Sequence, residues 1–112
     1  MPINERKRDD VTILDLKGKL TIGAAEEALR ETVQRVLAGG AQKIVINMKE
    51  TSTIDSSGVG ELVSSFTHAT NRGAKLKLAN LTSKINDILT ITQLITVFDV
   101  YDSEDEAVAS FA

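Results

Sequence analysis

Lys43 Ile44 Val45 Ile46 Asn47 Met48, followed after five residues by Ile54 Asp55 Ser56 Ser57 Gly58 Val59 Gly60, decides how this chain is read. The first run is short and nearly continuously apolar, the pattern of a strand covered on both faces and hence of helices above and below a sheet. The second, in which a seven-residue connection from Met48 ends at Asp55, puts two hydroxyls and two glycines where strand hands over to helix. Free backbone N–H groups at a helix start carry the positive end of the helix dipole, so an anion is stabilised there. Asp55 or Ser56 suits the N-cap. Gly58 and Gly60 each cost about 1 kcal/mol relative to Ala inside a helix, which implies that something approaches the backbone closely. On these residues alone Ser56 has three open uses: it receives a phosphoryl group, it attacks a substrate, or it only caps a helix.

Outward from this centre the pattern alternates. Ile3 to Lys7 reads as a polar first strand hairpin-paired through Asp9 Asp10 to a β-branched strand, Val11 to Leu16. From Gly23 to Leu37 the apolar residues Ala25, Ala28, Leu29, Val33, Val36 and Leu37 recur at helical spacing, and Gly39 Gly40 stops the helix. Val59, Leu62, Val63, Phe66 and Ala69 form a second stripe, ending near Asn71 Arg72 Gly73. Ala74 to Ala79 alternates like a strand. Ser83 to Thr90 reads as a third helix on Ile85, Ile88 and Leu89, although Thr90 to Thr96 is rich in β-branched residues. Val97 to Tyr101 is a last strand, and Ser103 with Glu106 three residues on is a capping box opening a terminal helix. This order predicts an α/β domain: a mixed, mostly parallel sheet of about five strands with one antiparallel strand, and about four helices. Ligands of such sheets bind beyond the carboxyl ends of the strands, where Asp55 Ser56 Ser57 stands.

At 112 residues the chain reads as one domain, 1–112, able to bury roughly two-thirds of its unfolded surface. It has no cysteine, so disulfides and thiolate metal sites are out of reach. A net charge of −3, with the one basic run Arg6 Lys7 Arg8 largely cancelled by Asp9 and Asp10, argues against direct nucleic-acid binding. No apolar run approaches the roughly 20 residues of a membrane span, and Met1 Pro2 Ile3 Asn4 opens no signal peptide, so a cytoplasmic protein is expected.

Catalysis finds little support. A hydrolase elbow needs Gly two residues before the serine, but Asp55 precedes Ser57 and Ile54 precedes Ser56 at that spacing. The only imidazole, His68, falls three turns along the next helix on its polar side, as a solvated residue. One histidine and scattered carboxylates give no metal spacing, and no cofactor is expected. The acidic group Asp99, Asp102, Glu104, Asp105 and Glu106 reads as favourable charge around a helix start.

Leu16 Lys17 Gly18 Lys19 Leu20, then Ile44 Val45 Ile46 Asn47 before Ile54 to Gly60, then Arg72 Gly73 Ala74 Lys75 Leu76, resemble the STAS domain, and most of all the free-standing anti-anti-sigma factors of bacteria. The resemblance covers nearly the whole chain. It implies a non-enzymatic partner switch in which Ser56, directly after the aspartate, is phosphorylated by an anti-sigma factor that is also a serine kinase. The unmodified protein binds that kinase, phosphorylation dissolves the complex, and a serine phosphatase resets it. Thr21, Asp55, Ser57, Gly58, Val59 and Gly60 are then the expected partner contacts. Many relatives carry Asp where Thr21 stands; here Thr21 is expected to cap the first helix or touch a partner without that charge. The family also includes domains acting without phosphorylation in stress-signalling assemblies and lipid-transport machinery. An accessory domain binding a partner or an anionic ligand at the same helix start is the alternative.

Overall fold

Residues 2–112 are described by a computed structural model. Its elements follow in the order β1 (Ile3–Arg8), β2 (Val11–Leu20), α1 (Ala24–Ala38), β3 (Lys43–Ile54), α2 (Ser56–Asn71), β4 (Lys75–Ala79), α3 (Ser83–Ile91), a 3-10 turn (Leu94–Thr96), β5 (Asp99–Tyr101) and α4 (Glu104–Ala109). The five strands lie side by side in chain order. β1 runs antiparallel to β2, and β2 to β5 are parallel, as the alternation predicts.

Strand order explains where the helices go. Each right-handed crossover from β2 to β5 steps in the same direction across the sheet, so every crossover helix falls on the same face. Leu29 and Val33 of α1, Leu62 and Ala69 of α2, and Ile85 and Leu89 of α3 are buried there against Leu14, Ile44, Ile46, Leu76 and Leu78. The other face carries a smaller cluster, Val11, Ile13, Val45 and Ala79 beneath Ala107 of α4, with the half-buried Tyr101, Val108 and Phe111 packed against it. Helices do lie above and below β3, three against one.

β3 departs from its expected end. It continues through Thr51, Thr53 and Ile54 instead of stopping at Met48, and the seven-residue connection does not exist. β2 likewise continues past Leu16 to Leu20. The two extensions pair, Lys17 with Glu50, Gly18 with Thr51, Lys19 with Thr53 and Leu20 with Ile54, across two register irregularities. The buried Thr51 hydroxyl donates to the Leu16 carbonyl at 3.0 Å. Those irregularities break the alternation by which a strand is recognised. At the other end β5 is shorter than Val97 to Tyr101. Phe98 turns into the core, edge-on to Phe66 with ring centroids 5.5 Å apart, and pairing begins only at Asp99. The β-branched run after Thr90 divides between the end of α3 and the 3-10 turn, joined through Gln93 in the left-handed region.

α4 is capped by Ser103, whose hydroxyl accepts from the Glu106 N–H at 3.1 Å. Its acidic first turn does more than favour a dipole. Arg6 donates to Asp15 at 2.6 Å and also to Glu104, and Arg8 reaches Glu104 at 2.9 Å and Asp105 at 2.7 Å. Arg6 and Arg8 of the basic run are thus paired across the fold, while Asp10 pairs with Lys43 at 2.6 Å. At the far end Lys77 donates to the Ser110 hydroxyl at 2.7 Å and lies 4.3 Å from the centre of the Phe111 ring.

Arg6 holds the Asp15 carboxyl below the usual carboxylate range, and Arg6 first and Arg8 second do the same for Glu104. Stability from such groups is full above their ordinary pKa, about 4, and is lost as pH falls through the lowered folded-state values. The urea midpoint is therefore expected to stay level from about pH 7 to about pH 5 and to drop below about pH 4. Glu104→Gln should begin lower and fall less steeply; parallel curves for the two proteins would contradict this.

Candidate functional site

β3 ends at Ile54 and α2 begins at Ser56, with Asp55 between them in an extended conformation as the N-cap. Each oxygen of its carboxylate has its own donor. Oδ1 accepts from the Gly58 N–H at 2.9 Å, and Oδ2 accepts from the Ile22 N–H, also at 2.9 Å, in the loop between β2 and α1. These backbone donors, Ile22 first, hold the Asp55 carboxyl below its ordinary value, so it is ionised at neutral pH. One side chain therefore caps the helix and ties a second loop to its start.

Along the first turn Ser56 is exposed, Ser57 half-buried, Gly58 buried, Val59 half-buried and Gly60 exposed. The two glycines have different reasons. A Cβ on Gly58 would stand 2.1 Å from the Leu20 carbonyl oxygen and 2.8 Å from Cγ1 of Ile54, so only glycine lets α2 start against the end of β2. A Cβ on Gly60 would meet nothing within 4 Å. The expectation of close approach holds at Gly58 and fails at Gly60 within this chain. Gly60→Ala is accordingly expected to stabilise the protein by about 0.5–1 kcal/mol, read from the urea midpoint; a destabilised variant would contradict an open site.

The loop from Thr21 to Gly23 stands beside this helix start. Thr21 does not cap α1: Gly23 occupies the N-cap, with no side-chain bond there. Its half-buried side chain lies next to Ile22, which is 74% exposed although large and apolar. Ile22 carried no sequence signal, since nothing local distinguishes an exposed isoleucine from a core one.

His68 sits twelve residues after Ser56, about 18 Å along the axis, and cannot serve it as a base. It is half-buried rather than solvated, in a cleft of about 60 Å³ that also takes in Arg30, Glu61 and Ser65. Glu61 is the residue sequence reasoning missed: a buried carboxylate bonded to Arg30 at 2.9 Å. Its partner lies on another helix, and helical periodicity does not report pairs between helices.

An N-terminal helix end with an exposed hydroxyl, an ionised cap and no base in reach can accept a group delivered from outside, but does not itself activate a nucleophile. The sequence profile of the STAS domain matches residues 2–107. This chain belongs to the STAS domain family. The anti-sigma-B factor antagonist of Bacillus subtilis is 28% identical over 96 residues, 86% of this chain and 85% of that protein. The crystal structure of a Thermotoga maritima protein assigned as an anti-sigma factor antagonist superposes with a TM-score of 0.89 at 25% identity, covering 96% of this chain and 92% of that one. The Bacillus cell fate determinant SpoIIAA in its phosphorylated form shares the fold, with a TM-score of 0.74 at 20% identity over 99% of this chain and 100% of that one. Among the described residues of this STAS protein, no helix is long and apolar enough to cross a membrane.

Proposed function

We propose that this STAS protein is a cytoplasmic anti-sigma factor antagonist that works by partner switching, with Ser56 as its phosphoryl acceptor. The observation that carries the reading is the exposed Ser56 hydroxyl on the first turn of α2, its backbone fixed by Asp55, in a chain similar to a named anti-sigma-B factor antagonist. Ser57, the other candidate, is half-buried.

Unmodified, the helix start with Thr21, Asp55, Ser57, Val59 and Gly60 is the face that binds the anti-sigma factor, and Gly58, expected among the contacts, is buried and serves it by letting α2 start against β2. That partner, itself a serine kinase, brings nucleotide, metal and a base. The Ser56 oxygen bonds to the γ-phosphorus as the bond to the leaving diphosphate breaks, and the serine proton passes to the kinase's base. The product carries about −1.5 to −2 charge, which a helix N-terminus accommodates, so the fold stays as it is. The partner must then desolvate a dianion beside an already ionised Asp55, and affinity falls. A serine phosphatase restores the first state. No step calls on a metal, cofactor or nucleic acid held by this chain.

Incubation with the anti-sigma kinase of the same cell and ATP, followed by intact mass measurement, tests the assignment. Wild type and Ser57→Ala are expected to gain one phosphoryl group and Ser56→Ala none. Equal labelling of Ser56→Ala and wild type would remove Ser56 from its role.

A further inference from the structure

Glu61 lies five residues after Ser56 on α2, and its side chain is only 4% exposed. Its Oε1 accepts from Nε of Arg30 on α1 at 2.9 Å, and its Oε2 from the Ser65 hydroxyl at 3.2 Å. Arg30 is held from its other side by Glu26, 2.8 Å away. Burying a carboxylate is costly, and an apolar pair of similar volume commonly holds two helices as well or better. The planar guanidinium bridges two carboxylates, Nε to Glu61 and Nη2 to Glu26, and so adds directionality: apolar surfaces tolerate a slip that charged hydrogen bonds do not.

The pair also sits at matching heights. Arg30 is six residues beyond Ala24, the first of α1, and Glu61 five beyond Ser56, the first of α2. That places them about 9 Å and about 7.5 Å from their helix starts. Both helices run back from the carboxyl ends of the parallel neighbours β2 and β3, so the pair levels those starts and sets the Thr21–Gly23 loop beside Ser56. A slip of one turn would displace the loop by about 5.4 Å, beyond the reach of the Asp55 to Ile22 hydrogen bond.

We propose that the Arg30–Glu61 pair is a positioning device: it fixes the Thr21–Gly23 loop relative to Ser56, and so sets the two-part surface, with the exposed Ile22 at its rim, on which the anti-sigma kinase docks. The docking half of this inference rests on the function proposed above, and the positioning half on the geometry alone.

Amide exchange by NMR on the whole protein, together with kinase kinetics, tests both halves. In Arg30→Met/Glu61→Leu the Ile22 amide is expected to exchange at least tenfold faster than in wild type, while Val45 and Ile46 of β3 keep their protection. KM for the variant as kinase substrate should rise at least fivefold with kcat unchanged, a split that general loosening would not produce. Arg30→Lys retains the charge, loses the planar guanidinium that bridges Glu61 and Glu26, and carries little risk to folding; it should lie between. An Ile22 amide that changes no more than those of β3, or an unmoved KM, overturns the proposal. A wild-type protein that the kinase does not phosphorylate counts against the proposed function instead, and amide exchange then decides the positioning half.

Discussion

Ser56→Asp is expected to weaken binding to the anti-sigma factor at least a hundredfold, about 2.7 kcal/mol, with thermal unfolding close to wild type. Ser56 is exposed at the first position of α2, where a carboxylate meets the positive end of the helix dipole and costs the fold nothing. The whole effect therefore falls on the interface. A partner packed against the helix start must strip water from a new anion that stands next to the ionised Asp55. Ser56→Ala adds no charge and should bind as wild type does. Calorimetric titration of the three proteins against the anti-sigma factor checks this. Binding by Ser56→Asp within threefold of wild type would mean that charge at Ser56 is not what the partner reads, and would favour an accessory domain that works without phosphorylation.

Gly58→Ala should be the most damaging single methyl group in the molecule. Its Cβ would stand 2.1 Å from a backbone carbonyl, which cannot rotate away as a side-chain end can. Relief requires α2 to lift from the end of β2, and that movement also pulls Asp55 from the Ile22 N–H. Overpacking in a well-filled site costs about 1–3 kcal/mol and occasionally more, and with rigid backbone on the other side we expect about 3 kcal/mol. The urea midpoint should fall accordingly with an unchanged slope. The same substitution two residues on, at Gly60, has the opposite expected sign. A loss under about 1 kcal/mol at Gly58 would show that the helix start is looser than its geometry.

The parts of this fold legible in the sequence are those written in local periodicity. The stripes Leu29–Val33 and Leu62–Ala69, the apolar run Ile44 to Ile46 and the cap Ser103 depend on neighbours within a few residues and stand where the pattern places them, and of the two caps open to α2 the structure takes Asp55. What the pattern missed depends on partners remote in the chain. β3 runs on to Ile54 because an irregular β2 accompanies it, and no local signal marks a strand whose register slips. Glu104 meets Arg6 across 98 positions, and Glu61 meets Arg30 across 31. The site divides in the same way. Asp55 to Gly60 was visible as a helix start suited to anions, whereas the exposed Ile22 and the separate reasons for Gly58 and Gly60 emerge only once β2 and α2 are brought together.

The most direct test of the switch uses one sample in three states. The protein is titrated with the anti-sigma factor before phosphorylation, after stoichiometric phosphorylation at Ser56, and again after treatment with a serine phosphatase. Tight binding, its loss by at least a hundredfold, and its full return are predicted. Equal affinity in all three states would contradict a partner switch at Ser56.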